Sequence, residues 1–151
     1  MSANITRAEA AERAALIRTH SYEVALDLTR GPDTFGMVTT AQFDCTAPGA
    51  STWIDLIAPR ARAITLNGRP LDVDAVFDGF RIRLEDLQAH NELRVEADCA
   101  FMNTGEGLHR FVDPVDDEVY LYTQFETADA RRMYACFEQP DLKATSTLTV
   151  T

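Results

Sequence analysis

The sequence predicts a mainly β fold: an antiparallel β-sandwich, or a saddle of curved sheets, with one short helix at its N-terminal end. Three observations lead there. Apolar residues recur at every second position through several separate stretches, the period of a strand half-buried on one face. Turn-forming residues divide these stretches at short intervals. Hydrophobic residues make up 46% of 151, which suits one domain of ordinary size with a real core.

The elements follow in order. Thr6 with Glu9 three residues on makes a capping box, so a helix starts there. Ala8, Ala11 and Ala15 give it a small apolar face, too shallow for a helix that stands alone. Strands come next. Tyr22, Val24, Leu26 and Leu28 alternate with Ser21, Glu23, Ala25 and Asp27. Met37, Thr39, Ala41, Phe43 and Cys45 repeat the pattern, as do Phe80, Ile82 and Leu84, and then Leu93, Val95, Ala97, Cys99 and Phe101. Turn signals stand at Gly31-Pro32-Asp33, Pro48-Gly49, Asn67-Gly68, Asp78-Gly79 and Gly105-Glu106-Gly107. Asn67-Gly68 is the sharpest: both residues accept positive φ, so it closes a hairpin between 64–66 and the segment around Leu71. Residues 119–125 read as another strand. Residues 128–136 lack alternation and suit a helical turn, which Pro140 ends. Residues 144–151 alternate again, with Leu148 and Val150 on one side. The expectation is a single β-domain over 1–151, cut before its natural C-terminal end, whose last strand lacks a neighbour and offers an edge for self-association.

Composition excludes several functions. A formal net charge of −10 gives no basic footprint for a phosphate backbone, so nucleic acid is not an expected partner. Cys45, Cys99 and Cys136 are odd in number and widely spaced, with no C-x-x-C, which argues for reduced thiols and a cytoplasmic protein. The first 20 residues lack the apolar centre of a secretory signal, and no run is long enough to span a membrane. Asn4-Ile5-Thr6 matches a glycosylation sequon by pattern only. None of His20, His90 and His109 is followed by Glu, so H-E-x-x-H is absent; so are G-x-S-x-G and a Walker loop. The run from Gly105 to Arg110 lacks the third glycine of a dinucleotide fingerprint. Asp113, Asp116, Asp117 and Glu118 do not have EF-hand spacing and read as a solvated acidic turn.

One segment carries chemistry. In a strand over 119–126, Val119, Leu121 and Phe125 share one face, and Tyr120, Tyr122, Gln124 and Glu126 the other. A carboxylate, an amide and two phenols on one side can receive an ammonium ion, with Glu126 supplying charge and the Gln124 carbonyl accepting a hydrogen bond. The same pattern also describes the wet face of an ordinary sheet.

A longer stretch weighs between these readings. Gly105-Glu106-Gly107-Leu108-His109-Arg110-Phe111, then Thr123-Gln124-Phe125-Glu126, then the run from Ala130-Arg131-Arg132 through Cys136-Phe137-Glu138-Gln139-Pro140 to Lys143-Ala144, is similar to the M1 aminopeptidases. Those enzymes carry G-x-G-L/F-Y/H, T-Q-F/M-E and A-R-R-x-F/Y-P/A-C-F/W-D-E/Q-P-x-x-K-A in this order and at this spacing. The resemblance implies a β-domain packed on a thermolysin-like catalytic domain, with zinc held downstream by H-E-x-x-H and a later Glu, and with the G-x-M-E-N segment downstream too. None of these lies in this chain, so it implies no catalytic residue and no metal ligand here. It implies that Gln124 lines the pocket for the first substrate side chain and that Glu126 binds the free α-amine of a peptide. Glu138 departs from the usual Asp and Ser146 from the usual aromatic; both positions, like Arg131 and Arg132, read as structural. The alternative is a free-standing β-sandwich that serves as a binding or adaptor module.

Overall fold

The capping box forms as its residues dictate. The Thr6 hydroxyl accepts from Glu9 N and the Glu9 carboxylate accepts from Thr6 N, which satisfies two of the donors that every helix start leaves open. This computed structural model describes residues 4–151; the first three residues of the expected 1–151 domain lie outside the described part. Helix α1 (Arg7–Leu16) runs directly into β1 (Ile17–Asp27). Then come β2 (Thr34–Cys45), β3 (Thr52–Asp55), β4 (Arg60–Leu66), β5 (Arg69–Pro70), the one-turn helix α2 (Val73–Val76), β6 (Arg81–Leu84), β7 (His90–Ala100), β8 (Gly107–Val112), β9 (Val119–Gln124), a 3₁₀ turn (Ala130–Arg132) and β10 (Thr145–Val150). No helix among the described residues is long and apolar enough to cross a membrane.

Six strands form one sheet in the order β10-β1-β2-β7-β4-β5; β3 pairs with β6, and β8 with β9. The expected alternation sets the core. Tyr22, Val24 and Leu26, then Met37, Thr39, Ala41 and Phe43, then Leu93, Val95, Ala97 and Cys99 are buried on one face of the large sheet. They share one cluster with Ile54, Leu56, Ile82, Leu84 and Leu87 from the β3–β6 layer and with Ala135, Cys136 and Phe137. The mainly β, sandwich-like architecture is therefore as read from the sequence. The hairpin is too: Asn67 and Gly68 have φ of 52° and 76°, and Leu66 pairs with Arg69 across them. The three cysteines are buried and unpaired.

Four expectations need correction. The buried face of α1 is not Ala8, Ala11 and Ala15, which are exposed, but the side with Ala10, Arg13 and Ala14, where Arg13 is wholly buried. A charge at that position hides the helix period from a hydrophobicity pattern. The strand at Phe80 starts one residue later, and Phe80 is exposed because Asp78 caps the turn there, accepting from Phe80 N and Arg81 N. The β9 strand ends at Gln124, before Glu126. Finally, β10 runs parallel to β1, so the large sheet is mixed rather than purely antiparallel.

Arg13 ties the layers together. Its Nη1 donates to Asp55 Oδ2 at 2.7 Å and its Nε to Gln139 Oε1 at 3.0 Å. Its guanidinium lies 4.9 Å from the centre of the Trp53 ring. Gln139 Nε2 donates to Ala10 O, and Glu138 N donates to Asp55 Oδ2. The Arg13 and Asp55 side chains are 0% and 2% exposed. Removing one member of such a pair strands the other in a dry site. Asp55→Ala is therefore expected to cost roughly 3–5 kcal/mol, read by urea denaturation, and a loss below about 1 kcal/mol would show that the pair holds nothing together.

Glu9 gives a pH signature. Hydrogen bonds from Arg81 first, and then from Thr6, hold its pKa down to about 2. Because the folded-state value is depressed, its stabilisation is present above the ordinary carboxylate range and is lost as pH falls towards about 2. The effect is small, since the side chain is partly exposed. Glu9→Gln is expected to flatten the acid limb of the stability–pH profile in that window and leave the profile above pH ~5 parallel to the parent.

Candidate functional site

The T-Q-F-E segment sits where the β8–β9 ribbon joins the core. Leu108 is buried at the base of β8. Met102 N donates to Leu108 O and Arg110 N to Met102 O, so a third segment braces the ribbon along β8. Across the ribbon Gly107 stands opposite Gln124 and His109 opposite Tyr122. The His109 and Tyr122 rings stack with centres 4.6 Å apart, and His109 Nδ1 accepts from Gly105 N at 2.9 Å.

Gly107 has φ of 62°, and a Cβ there would stand 2.7 Å from Arg132 Cβ. Only glycine fits. Arg132 is held over it by Asp129, at 2.8 Å, and by Glu106, at 3.4 Å. The first and third motif segments thus pack against each other, and the middle one leaves from between them. Arg132 is structural, as expected, and so is Glu138, which accepts from Arg131 N at 2.7 Å while burial pushes its carboxyl pKa upward.

Phe125 turns inward, where its ring meets Tyr134 edge-on with centres 6.3 Å apart. Its neighbours Gln124 and Glu126 are both exposed. Gln124 Oε1 accepts from Glu126 N at 3.1 Å, which fixes the two residues relative to each other although Glu126 lies beyond the strand. The peptide bond from Glu126 to Thr127 is cis. Among the described residues the Glu126 carboxylate has no ion pair or hydrogen bond, and Gln124 Oε1 retains a second lone pair. An exposed carboxylate and an exposed amide oxygen two residues apart can each accept an N–H group of a cation. The structure therefore places the two expected residues together at an anchored position.

Beyond this base the ribbon is bare on both faces. Val119, Tyr120, Leu121 and Tyr122 are each about two-fifths to one-half exposed, as are Phe111 and Val112 opposite them. Sequence reasoning assigned an inner and an outer face here but missed that neither is covered, and it missed the His109–Tyr122 stack, which only the register between two strands reveals. The acidic turn at the ribbon tip uses its carboxylates locally: Asp113 caps Val115 N, and Asp116 accepts from Glu118 N and from the Tyr120 hydroxyl. No group of three or more His, Cys, Asp or Glu side chains that could hold a metal occurs among the described residues.

Comparison with known proteins matches residues 19–151 to the Peptidase M1 N-terminal domain. An aminopeptidase N from Streptomyces lividans is 57% identical over 150 residues, 97% of this chain but 18% of that protein's length. Among solved structures, aminopeptidase A from Legionella pneumophila, crystallised with aspartic acid, superposes with a TM-score of 0.73 at 12% identity, over 89% of this chain and 16% of that one. Leukotriene A4 hydrolase from Saccharomyces cerevisiae gives 0.73 at 14% identity, over 91% and 23%. An M1 zinc metallopeptidase from Deinococcus radiodurans gives 0.68 at 18% identity, over 89% and 32%. At these identities the structures speak for the fold alone.

The close approach at Gly107 yields a test. Gly107→Ala forces a side chain into the left-handed region and into Arg132, at a cost of ~1–3 kcal/mol. Hydrogen exchange is expected to accelerate in β8, β9 and the 3₁₀ turn while the β2–β7 amides stay protected. Unchanged exchange in the ribbon would mean that this contact does not anchor it.

Proposed function

This chain belongs to the M1 peptidase N-terminal domain family, and from that premise we propose that it is the non-catalytic first domain of a zinc-dependent aminopeptidase. The 57% identity to an aminopeptidase N favours this reading over a free-standing binding module. In the proposal Glu126 anchors the α-ammonium of a peptide and Gln124 lines the pocket for the first side chain. The observation that carries it is the Gln124–Glu126 pair, joined at 3.1 Å and exposed at the anchored end of the ribbon. An exopeptidase needs such a group, because binding the chain-end ammonium is what selects terminal from internal bonds and sets the scissile bond at a fixed distance.

The rest of the reading follows from what this chain lacks the groups to do. Its described residues do not fit a zinc ion, so zinc and the hydrolytic step are assigned to a catalytic domain outside this chain. The bare apolar ribbon is the surface proposed to pack on that domain, since contiguous exposed apolar side chains mark contact sites. Its partners would then be that domain and peptides with a free N-terminus, not nucleic acid or membrane. Unpaired, buried cysteines suit the cytoplasm.

Glu126→Gln in the longer enzyme tests the reading, because it keeps the shape and removes the charge. Truncating one side of a desolvated, hydrogen-bonded charge pair costs about 2–5 kcal/mol, on the order of 30- to several-thousand-fold in kcat/KM for a free-amine substrate. Stability should change little, since the carboxylate is exposed. Gln124→Ala is expected to act more mildly and to shift side-chain preference. If Glu126→Gln leaves kcat/KM within about twofold, a difference of ~0.4 kcal/mol, the amine anchor is elsewhere.

A further inference from the structure

An asparagine with glycine after it is chemically fragile, and Asn67 is the only asparagine of this sequence so placed. The reaction is internal. The backbone nitrogen of Gly68, which no Cβ shields, attacks Cγ of Asn67. A C–N bond forms, the Cγ–Nδ2 bond breaks, and ammonia leaves with the proton taken from the Gly68 N–H. Water then opens the cyclic imide at either carbonyl and leaves aspartate or isoaspartate at position 67. No co-reactant but water is required. What is required is freedom: the side-chain amide must swing over the peptide bond that follows it.

The fold removes that freedom. Leu66 ends β4 opposite Leu93 of β7. Asn67 carries the ladder one step further, although its φ of 52° already belongs to the turn. Its N–H donates to Glu92 O at 2.8 Å. In an ordinary antiparallel pair the return bond would run from Glu92 N to the backbone carbonyl of residue 67. Here it runs to Asn67 Oδ1, at 2.9 Å. Asn67 Nδ2 donates to Asn91 Oδ1, also at 2.9 Å. Both ends of the amide that would have to move are tied to β7.

The socket that receives it has one polarity. Asn91 is 3% exposed. Its Oδ1 also accepts from Gln88 N at 2.9 Å, and its Nδ2 donates to Gln88 O at 2.7 Å. A backbone N–H and a backbone C=O thereby fix which way round the Asn91 amide sits, so residue 67 always meets an acceptor. An aspartate at 67 puts an oxygen where Nδ2 stood, and two acceptors then face each other with no proton between them. Isoaspartate adds a carbon to the main chain inside a two-residue turn, which breaks the register as well.

We propose that Asn67-Gly68 is a spontaneous deamidation site that β7 holds shut, and whose product the Asn91 socket then refuses. Conversion proceeds from the opened hairpin. Strand β5 is two residues long and lies at an edge of the large sheet, where opening is easiest. Each opening exposes the amide to an irreversible step, after which the hairpin no longer closes as before, so position 67 records how long the protein has spent open. The site is on other strands than the Gln124–Glu126 pair, and the proposal stands whether or not that pair binds an amine.

The test is peptide mapping of the intact protein held at mildly alkaline pH, in buffer and in concentrated urea. Pro70 blocks tryptic cleavage after Arg69, so the informative peptide is 63–81. Asn67 is its only side-chain amide, and a mass gain in it therefore reports Asn67 alone; isomerisation at Asp78-Gly79 leaves the mass unchanged. Conversion is expected to be at least ~tenfold slower in the native protein than in urea, because it waits on local opening. Asn67→Asp supplies the product directly, and it should speed hydrogen exchange over 63–71 by at least ~tenfold at neutral pH while β2 stays protected. Asn91→Ala removes the acceptor and should speed native conversion. Native conversion within about twofold of that in urea overturns the proposal. So does Asn67→Asp with parental exchange in the hairpin, or a folded Asn91→Ala that converts no faster. Should Asn91→Ala fail to fold, the urea comparison and Asn67→Asp decide.

Discussion

The ion pair between Arg13 and Asp55 is the constraint on which the arrangement of layers depends. Asp55 Oδ2 accepts from Arg13 in the helix and from Glu138 N near the C-terminal end. Arg81 in β6 reaches within 3.9 Å of its other oxygen. One carboxylate in β3 thus serves helix α1, the second strand of its own layer and the run that follows the 3₁₀ turn. Taking two charges out of water costs much of what their attraction returns, so such a pair is a weak source of net stability. What it supplies is position. A purely apolar helix face could slide over the β3–β6 layer, whereas Arg13 has one place where its Nη1 meets Asp55 and its Nε meets Gln139, even though its Nη2 is buried there without a hydrogen-bond partner. Trp53 and Phe137 close over the guanidinium and leave no second place for it.

The strands that alternate were legible because burial on one face follows a period of two, and in β2 and β7 that period is unbroken from Met37 to Cys45 and from Leu93 to Cys99. The turn at Asn67-Gly68 was legible because its backbone demands residues that tolerate positive φ. Strand β3 was not. Ile54, Asp55 and Leu56 are buried in succession, since the segment shares the core of the large sheet on one side and meets Arg13 of α1 on the other, and so no alternation exists to be read. The parallel pairing of β10 is likewise a property of the whole chain, which must travel from β9 around the core before it meets β1. At the candidate site, separation by two suggested a shared strand face for Gln124 and Glu126, but β9 ends at Gln124 and a hydrogen bond from Glu126 N to Gln124 Oε1 relates them instead. What holds them, Gly107 under Arg132 and Phe125 against Tyr134, depends on contacts that no local pattern contains.

The position of the pair on the ribbon has a physical logic. A two-stranded ribbon is not stable by itself, and this one is wet on both faces. Its far end, at the acidic turn, is held among the described residues by its own hydrogen bonds. Its near end is clamped by Leu108, by the Met102 bridge and by the glycine–arginine contact. Gln124 and Glu126 emerge at the near end. A binding group gains from being fixed before its ligand arrives, because ordering it later subtracts from affinity. The clamped base is the one part of the ribbon where that ordering is already complete, and the loose part is free to adjust to whatever surface covers its apolar side chains.

The ribbon makes a particular demand on a partner. The ribbon offers side chains, Phe111, Val119, Tyr120, Leu121 and Tyr122 among them, so whatever covers it must match their shape. Shape matching is selective, and it is what a fixed neighbouring domain can provide. Specificity at the ribbon therefore resides in its sequence.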